Sequence, residues 1–445
     1  MSDGPAPQGA ASSAPTPGQA GGRPGAASSW AEPAAPLRHS PLAGARVVLG
    51  VTGSIAAYKA VALASALTQA HALVDVILTR EATELVRPLS FQAITHRPAY
   101  TDMFHLLAET EIGHVTLGHA ADVVVVAPAT AHTLARLALG LGDDLLATTV
   151  LATRAPLVLA PAMETSMLAH PATQGHLATL RERGALIVAP GHGHLASGAV
   201  GAGRLAEPEV ILDAIRGVLA RRGDLAGWRV VVTAGGTQEP IDPVRVIANR
   251  SSGKMGYAVA EAARDRGAAV TLITAPTALR PPGGVQVVRV ATAAEMCDAV
   301  LAAIAEADAL VMAAAVADFQ VAERRGAKIK KDGCGLTLEL VPTPDILAAV
   351  ATRPARDGLT VAGFAAESAD LLANARDKLQ RKRLDLIVAN DVTQEGSGFG
   401  TDTNQVFLLD RWGGEERLPL LPKLEVAHHI WDRLQALRAR AAPGR

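Results

Sequence analysis

The sequence contains only two cysteines, Cys297 and Cys334, in 445 residues. Two thiols are too few for a disulfide framework and lack the spacing of a metal site, which favours a reducing, cytoplasmic compartment. A formal net charge of −1 provides no basic surface for nucleic acid or for an anionic membrane. Hydrophobic residues make up 49% of the chain, but many are alanines, and no apolar run is long enough to span a membrane. These absences argue against a nucleic-acid-binding protein, a membrane protein and a disulfide-rich secreted domain.

Length and composition predict two domains and a tail. Residues 1–42 are rich in Ala, Pro, Gly and Ser, so ordering them would cost backbone entropy that little apolar burial offsets. We predict that this tail is disordered and that domains span 43–222 and 226–445, joined by the polar segment 221–224. In both domains short β-branched strands alternate with helical segments, and runs such as ADVVVVAPA are typical of parallel strands buried on both faces. The predicted fold class is therefore α/β, with two doubly wound, Rossmann-like domains.

Ligands bind at the carboxyl ends of the strands in such folds, so the loops there are the candidate sites. The first, GVTGSIAAYK at 50–59, is a glycine turn that opens a helix and leaves backbone N–H groups free for a phosphate. Its spacing is G-x-x-G rather than the dinucleotide G-x-G-x-x-G, so a plain tight turn stays an alternative. Two further strand ends are PATAHT at 128–133 and PAMETSML at 161–168. Between the first and second loops lies IGHVTLGHAAD, with His114 and His119. We interpret His119 as a histidine at the surface or at a helix end, without a role in catalysis.

Together these three loops resemble those of the flavin-binding cysteine decarboxylases. PATAHT is similar to that family's PASANT motif, PAMETSML to PxMNxxMW, and the segment around His114 to G-H-x-x-L-G, which holds the family's catalytic histidine. The resemblance implies a flavodoxin-like domain that binds FMN, in which His114 accepts a proton or holds a substrate carboxylate beside the flavin. The cofactor-binding residues that it implies are Gly53, Ser54, Ile55, Thr79, Pro128, Ala129 and Thr130.

This half departs from the family pattern at residues expected to touch the substrate. Glu164 and Leu168 replace the asparagine and tryptophan of PxMNxxMW, and His132 replaces the asparagine of PASANT. An ionised Glu164 would repel the substrate carboxylate unless it were protonated or turned away. In the glycine-rich flap GHGHLASGAVGAGR, residues 191–204, Ser197 stands where the family has a cysteine.

The flap cysteine protonates an enethiolate in that family, and we hypothesise that Ser197 does not take over this role. An alkyl hydroxyl is a far weaker acid than a thiol, whose reference pKa is about 8.5. His192 and His194 are better acids, because a histidine with a pKa near 6.5 keeps some imidazolium at neutral pH. A protonated Glu164 is a further candidate. The alternative is that both histidines are merely solvated on a mobile loop.

The second domain carries TAGGTQEPIDPVRVIANRSSGKMG at 233–256, whose GK pair lacks the frame of a P-loop. This segment closely resembles the signature of phosphopantothenate–cysteine ligases. Further segments match the same family in the same order: AAAVADF at 313–319, KIKK at 328–331, PTPDIL at 342–347, GFAAES at 363–368 and KLQRKRLDLIVANDV at 378–392. The resemblance therefore covers the whole chain after the tail and points to the bifunctional enzymes of bacterial coenzyme A biosynthesis.

The ligase resemblance implies two groups of site residues. Arg245 and Asn249 match residues that act on an acyl-cytidylate and on its attack by cysteine. Cations and backbone N–H groups suit a site that gathers a carboxylate, a triphosphate and a metal ion. The basic run 378–383 by itself is also typical of one solvated helix face, and its nucleotide role rests on the surrounding motifs. The implied CTP-binding residues are Met312, Ala313, Ala314, Asp318, Lys328, Pro344, Asp345, Ile346, Leu347, Phe364, Lys378 and Lys382.

The resemblance implies two consecutive reactions. The C-terminal domain would activate 4′-phosphopantothenate with CTP and Mg²⁺ and join it to cysteine, and the FMN-dependent N-terminal domain would decarboxylate the product to 4′-phosphopantetheine. Two alternatives stay open for the N-terminal domain: it only decarboxylates oxidatively and releases an enethiol, or it only binds flavin as a regulatory or assembly module. The family's flavin sites lie between subunits, which implies a homo-oligomer built from flavoprotein trimers and ligase dimers. The metal ligands are not identified by the sequence.

Overall fold

Two largely parallel sheets dominate the structure, one in each half of the chain, and both belong to one compact unit. This confirms the predicted α/β class with two doubly wound domains. The computed structural model describes residues 39–104, 113–330, 335–367, 370–391 and 400–441, together with Met1, Gly4 and Gly398.

The sheet of the N-terminal half is parallel throughout the described residues, and a separate antiparallel hairpin follows it. The strands are β1 (Arg46–Val51), β2 (Leu73–Leu78), β3 (Ala99–Tyr100), β4 (Val123–Ala129), β5 (Leu157–Pro161), β6 (Leu186–Ile187), β7 (Gly191–His194) and β8 (Val200–Arg204). The helices are α1 (Ala57–Gln69), α2 (Arg80–Thr83), α3 (Pro88–Thr95), α4 (Gly113–Ala120), α5 (Ala131–Leu139), α6 (Leu145–Ala152), α7 (Thr165–Ala169), α8 (Pro171–Glu182) and α9 (Pro208–Leu219). The strand order is β3-β2-β1-β4-β5-β6, and β7 pairs with β8.

The central strand β4 reads VVVVAPA, and each of its residues is buried. Such a strand needs helices on both faces of the sheet, because successive side chains point to opposite sides. Val123 and Val125 pack in the cluster formed with α1 and α9, whereas Val124 and Val126 pack in the cluster formed with α5, α6 and α8. The two cores of this half therefore follow directly from the apolar runs in the sequence.

The ordered part of the chain begins before residue 43. Leu42 is only 1% exposed and belongs to the same core cluster as β1 and α1. Turn hydrogen bonds from Ala43 N to Ser40 O and from Ala45 N to Leu42 O lead this side chain into the core. The boundary predicted at residue 42 is therefore too late, because one large apolar residue is hidden in a composition dominated by small ones.

The sheet of the C-terminal half has the order β13-β12-β9-β14-β17-β18-β20-β21, with the last two strands antiparallel to their neighbours. The strands are β9 (Arg229–Ala234), β10 (Gln238–Pro240), β11 (Val246–Ala248), β12 (Ala269–Thr274), β13 (Gln286–Arg289), β14 (Ala309–Met312), β15 (Phe319–Val321), β16 (Leu340–Pro342), β17 (Thr360–Glu367), β18 (Leu386–Asp391), β19 (Thr403–Asn404), β20 (Val406–Asp410), β21 (Glu415–Arg417) and β22 (Leu421–Pro422). The helices are α10 (Lys254–Asp265), α11 (Ala293–Ala303), α12 (Ile346–Ala351), α13 (Leu371–Arg381) and α14 (Lys423–Ala441). The pairs β10–β11, β15–β16 and β19–β22 are small antiparallel additions.

Helix α10 packs unusually close to β9. A Cβ atom on Gly256 would lie 2.6 Å from Cβ of Ala234 and 2.7 Å from the carbonyl oxygen of Thr233. Only glycine fits at this helix–strand contact, because real Cβ atoms do not approach other atoms so closely. On its other side α10 contacts α14, where the buried indole of Trp431 donates to Val259 O over 2.9 Å.

An ionic junction joins the two halves. Arg216 of α9 reaches α10, where it pairs with Glu261 at 2.5 Å and with the buried Asp265. A further ion pair between the same two helices joins Arg264 of α10 to Asp213 of α9 at 3.0 Å. The segment predicted as a polar joint, 221–224, is part of this packed region rather than a free linker. Its last residue, Asp224, accepts from the guanidinium of Arg266 over 2.6 and 2.9 Å.

His428 lies beside this junction as a buried and neutral histidine. It is 1% exposed, and neither ring nitrogen has a hydrogen-bond partner among the described residues. Burial and the charges of Arg266 and His39 lower the pKa of His428 to about 3. The His428 ring therefore stays neutral in the folded protein at pH values where an exposed histidine is protonated.

The depressed pKa predicts acid-dependent stability. The unfolded chain binds a proton on His428 below pH about 6.5, whereas the folded chain does not until about pH 3, so stability falls as pH drops through this window. Between pH 7 and pH 5 the loss should be about 2 kcal/mol. Thermal unfolding of His428→Leu should therefore depend less on pH than that of the wild type. Identical pH dependence of the two unfolding midpoints would contradict this account.

Candidate active sites

The strand ends of the N-terminal half meet at one edge of the sheet. In the parallel register Val51 lies opposite Leu78, and Ala129 lies opposite Pro161. The loops that follow β1, β2, β4 and β5 therefore lie side by side, as their sequence order predicts. These loops carry all the residues that the sequence assigned to the cofactor.

Gly53 allows two of these loops to touch. A Cβ atom on Gly53 would lie 2.4 Å from Cβ of Glu81, in the first turn of α2. Thr79 caps that helix by accepting from Ala82 N, and its own N–H continues the pairing of β2 with β1 through Val51 O at 3.0 Å. A side chain at residue 53 would force the loops apart and close the space above the turn formed by Ser54 and Ile55.

A second tie joins the first loop to PATAHT. The Thr52 hydroxyl donates to Pro128 O at 2.7 Å and accepts from Thr130 N at 3.2 Å. Thr130 in turn caps α5 by accepting from Thr133 N at 3.3 Å. Gly53, Ser54, Ile55, Thr79, Pro128, Ala129 and Thr130 are thereby brought to one region of the sheet edge. A rigid, hydroxyl-rich cradle of this kind suits a flavin phosphate and ring.

His114 lies in the first turn of α4, and its Nδ1 atom is buried without a hydrogen-bond partner among the described residues. Buried polar atoms are rarely left unpaired in proteins, so such an atom indicates a missing ligand or water. The helix is fixed against α6, where Thr153 Oγ1 donates to Gly118 O over 2.6 Å. His119 on the same helix is exposed, in agreement with its structural interpretation.

The flap is an antiparallel hairpin, β7–β8, rather than an irregular loop. Its docking face consists of glycines: a Cβ atom on Gly203 would lie 2.1 Å from Met163 O, and one on Gly201 would lie 2.3 Å from Thr165 Oγ1. Met163 N also donates to Gly203 O at 3.0 Å. The flap is therefore anchored to the loop of the PAMETSML motif.

The candidate proton donors of the flap are all exposed. His192 pairs with Ala202 and His194 with Val200, while Gly193 pairs with Gly201. Paired residues share a face of a hairpin, so both histidines project on the side opposite the glycines that contact Met163 and Thr165. Ser197 lies in the exposed turn between the strands, where its Oγ is 3.5 Å from Ala199 N.

Glu164 is the N-cap of α7. Its Oε2 accepts from Ser166 N at 2.6 Å and from the Ser166 hydroxyl. The hydroxyl of Ser166, followed by its N–H, lowers the pKa of Glu164. The carboxylate is therefore kept ionised, which argues against the protonated Glu164 considered as an acid. As the N-cap, the Glu164 side chain folds back onto its own helix, and its carboxylate accepts two hydrogen bonds there.

The C-terminal half contains a cleft of about 960 Å³ at the carboxyl edge of its sheet. It is lined by the segments 249–256, 312–318 and 342–347, by Phe364 and Ala365 of β17, and by α13 from Asn374 to its end. The sequence-predicted residues that line it are Asn249, Met312, Ala313, Ala314, Asp318, Pro344, Asp345, Ile346, Leu347, Phe364, Lys378 and Lys382. The fold thus gathers most of the predicted nucleotide site in one place.

Two predicted residues do not line this cleft. Arg245 is ion-paired with the buried Asp242 at 2.6 Å and donates to Ile329 O at 3.2 Å. Lys328 is exposed next to Ile329, just before residues that lie outside the described range, among them Lys331 of the KIKK motif. Arg245 and Lys328 are therefore neighbours in one loop cluster beside the cleft.

Asp242 organises that loop cluster. Burial alone would raise its pKa, but the N–H groups of Val244, Ile329 and Arg245 and the Arg245 guanidinium lower the pKa to about 2. The four donors hold one carboxylate at 2.6 to 3.1 Å. This role of Asp242 was not predicted, since an aspartate in EPIDP is typical of an ordinary turn.

Hydrogen bonds fix the polar side chains of the cleft. Asn249 Nδ2 donates to Val316 O at 2.9 Å, and Lys378 Nζ donates to Phe364 O at 2.8 Å. Lys382 pairs with Asp345, which also caps α12 through Ala348 N at 3.0 Å. Burial would raise the pKa of Asp345, but the hydrogen bond from Lys382 outweighs it, so the pKa is lowered. These contacts orient the amide and ammonium groups before any ligand arrives.

Some lining residues were missed from the sequence. Lys254, in the SSGK segment, pairs with Asp402 at 2.7 Å, and Lys423 opens α14. The SSGK segment was recognised only as an incomplete P-loop, and nothing around Lys423 signals a site. Lys423 reaches the cleft from a helix that follows the last strands of the sheet, which only the tertiary fold reveals.

Within the described residues, one group of three side chains has metal-ligand geometry: His39, Asp224 and Asp432. The guanidinium of Arg266 already bridges the two carboxylates, at 2.6 Å from Asp224 and 2.7 Å from Asp432. A cation in this position would face that positive charge. We interpret the group as a charge network, not a metal centre.

No helix among the described residues is long and apolar enough to cross a membrane.

Two family models match the chain in tandem. Residues 38–220 match the Flavoprotein family, and residues 225–437 match the DNA/pantothenate metabolism flavoprotein C-terminal domain.

Full-length relatives share this arrangement. The coenzyme A biosynthesis bifunctional protein CoaBC of Bacillus subtilis (strain 168) is 45% identical over 394 residues, covering 88% of this chain and 97% of the relative. The protein of the same name from Mycobacterium tuberculosis (strain ATCC 25618 / H37Rv) is 48% identical over 401 residues, covering 87% and 95%. A crystal structure of the C-terminal domain of CoaBC is 37% identical, covering 48% of this chain and 97% of that one, with a TM-score of 0.42. The chain therefore belongs to the family of bifunctional coenzyme A biosynthesis enzymes.

Proposed function

We propose that the C-terminal half is a CTP-dependent phosphopantothenate–cysteine ligase and that the N-terminal half is an FMN-dependent decarboxylase of the ligation product. The observation that carries the ligase proposal is the cleft of about 960 Å³, where six basic and three acidic side chains line the surface among the described residues. The name of the full-length relatives supports the pairing of two activities. We assign the decarboxylase to the chain up to residue 222 and the ligase to 226–445, and we expect both to act in the cytoplasm.

The ligase reaction has two steps. A carboxylate oxygen of 4′-phosphopantothenate attacks the α-phosphorus of CTP, and pyrophosphate leaves as the acyl-cytidylate forms. The amine of cysteine then attacks the acyl carbon, loses a proton and expels CMP. Lys378 and Lys382 offset the negative charge on the phosphates, which is the largest single contribution such a site makes. Asn249, anchored through Nδ2 to Val316 O, offers its amide oxygen to the attacking amine.

Mg²⁺ would enter the cleft with the triphosphate. Magnesium sites of this class use one or two carboxylates plus substrate phosphates rather than an all-protein cage. Asp345 and Asp377 pair with Lys382 and Arg381, whereas Asp318 has no salt bridge within the described residues. We therefore assign Asp318 to the magnesium ion.

Three features of the N-terminal half fit FMN: the close approach at Gly53, the tie from Thr52 to the PATAHT loop, and the buried Nδ1 of His114, which has no partner within the described residues. When bound, FMN supplies the electron transfer that oxidises the cysteine thiol, lets the carboxylate leave as CO₂ and returns hydride to the product. His114 holds the substrate carboxylate or takes up the thiol proton. The anchored hairpin β7–β8 covers the loop beside it.

A second candidate for this half is an oxidative decarboxylase that releases the enethiol. Three observations favour it: the flap turn carries Ser197, the flap histidines lie on the outer face, and Glu164 is held ionised. The two histidines project away from the contact of the flap with Met163 and Thr165, and the ionised Glu164 has no proton to donate. Protonation of the enethiolate is thus the step in which this chain differs from the family pattern.

Exposed apolar side chains support a homo-oligomer. In the N-terminal half Ile55, Tyr58, Leu85 and Leu89 are exposed, and in the C-terminal half Val244, Val246, Phe319 and Leu340. Large apolar side chains grouped on a surface mark interfaces between subunits. We assign the first group to flavoprotein trimers and the second to ligase dimers.

The FMN assignment predicts that the purified full-length chain is yellow. Mass spectrometry of the released cofactor should give FMN rather than a dinucleotide. Gly53→Ala should lose most of the flavin absorbance, because its Cβ would meet Glu81 at 2.4 Å. Gly175→Ala is the matched control, since nothing lies within 4 Å of its Cβ position in α8. Equal flavin content in both variants would contradict the assigned cradle.

The cleft predicts separable half-reactions. Asn249→Asp in the full-length chain should still release pyrophosphate from CTP and 4′-phosphopantothenate but should transfer cysteine on the order of a hundredfold more slowly. Lys382→Gln should instead slow pyrophosphate release, because it removes a cation near the phosphates and leaves Asp345 unpaired. Rapid-quench measurement of pyrophosphate and of ligated product distinguishes the two. If Asn249→Asp slows both half-reactions equally, the assigned division of roles is wrong.

The flap predicts which substitution restores an acid. Ser197→Cys should speed conversion of the enethiol to phosphopantetheine, because a thiol near pKa 8.5 releases a proton far more readily than a hydroxyl. Ser197→Ala should leave the product ratio nearly unchanged. His192→Asn and His194→Asn should raise the enethiol fraction if an imidazolium is the donor. Single-turnover product analysis gives the ratios, and loss of phosphopantetheine in Ser197→Ala alone would make the serine the donor.

A further inference from the structure

Lys423 is a buried lysine at the edge of the nucleotide cleft. It is 7% exposed and is the first residue of α14. Its Nζ donates to Gly398 O at 3.2 Å, to Thr401 O and to Thr401 Oγ1 at 3.4 Å. Within the described residues it has no salt bridge to a carboxylate, although its side chain lines the same cleft as Lys378 and Lys382.

Three features make this position unfavourable for a cation. Burial removes the water that stabilises an ammonium ion, and its neutral oxygen partners compensate only in part. The N-terminus of α14 carries the positive end of the helix dipole. A second ammonium, Lys254, binds the same turn at Gly400 O over 2.8 Å and at Asp402 over 2.7 Å. Burial, followed by the charge of Lys254, lowers the pKa of Lys423.

A polyanion in the cleft would compensate the positive charge of Lys423. Asp402 is engaged by Lys254, and the lining of the cleft is basic overall among the described residues. The packing role of the aliphatic stem could be met by methionine, which has no charge to desolvate. The hydrogen bonds of the ammonium hold the turn, but its positive charge is offset only when negative charge arrives with a ligand.

We propose that Lys423 is a binding residue for the polyphosphate of the nucleotide. The interaction grows with ligand charge and leaves the base and ribose unaffected. Lys423 and Lys254 hold the turn 400–402 from the termini of two different helices, so the phosphates meet a positive charge whose position is fixed before binding. This proposal rests on the proposed ligase function.

Isothermal titration of the full-length chain with cytidine, CMP, CDP and CTP at fixed Mg²⁺ tests it. Lys423→Met should weaken CTP binding roughly ten- to a hundredfold, CMP binding less, and cytidine binding not at all. Lys423→Gln keeps a neutral donor for the turn and should show the same dependence on phosphate number. The matched control is Arg440→Met, which removes an exposed cation from the far end of the same helix.

The outcomes are distinct. Equal weakening of cytidine and CTP, or a CTP effect no larger than that of Arg440→Met, overturns the role of Lys423. A lowered unfolding midpoint in Lys423→Met that Lys423→Gln restores together with full CTP affinity also overturns it, because hydrogen bonding to the turn would then suffice. Wild-type protein that binds no CTP would instead refute the proposed ligase function.

Discussion

The close contact of α10 with β9 is the constraint on which the C-terminal half depends. Because Gly256 has no side chain, the helix lies against Ala234 and Thr233, and this fixes both of its ends. Its first residue, Lys254, reaches the cleft, and its last turn presents Arg264 and Asp265 to α9. One helix thus carries part of the lining of the cleft, the core contact with Trp431 and the junction to the flavoprotein half.

Electrostatic organisation differs between the two sites. Asp345 in the ligase cleft and Asp242 in the loop cluster beside it are each engaged by a cation, so basic groups keep fixed positions. Beside the flavin loops the chain relies on threonine hydroxyls and on glycines without side chains, and the ionised Glu164 accepts hydrogen bonds from Ser166. The first arrangement suits a highly charged triphosphate, and the second suits a flat ring held by close backbone approach.

Apolar runs predicted the strand–helix alternation because they are local, and the family resemblance of the loop motifs supplied most of the residues that line the cleft. They did not predict that Leu42 enters the core, since one side chain is invisible in a compositional average. They missed Asp242, whose carboxylate accepts from the neighbouring residues Val244 and Arg245 and from the distant Ile329. They also missed Lys423, which reaches the cleft only through tertiary folding. The glycine content of 191–204 indicated mobility, but those glycines allow docking against Met163 and Thr165.

In the anchored hairpin, the residues that attach it to the domain differ from those in its turn. Its docking face consists of backbone and hydrogen atoms at Gly201 and Gly203, while the turn at 195–199 makes no part of that contact. Residues in the turn are therefore free to vary without loosening the cover. An acid at the tip can be exchanged, lost or regained by a single codon change, so the final product of such an enzyme is evolutionarily easier to alter than its fold.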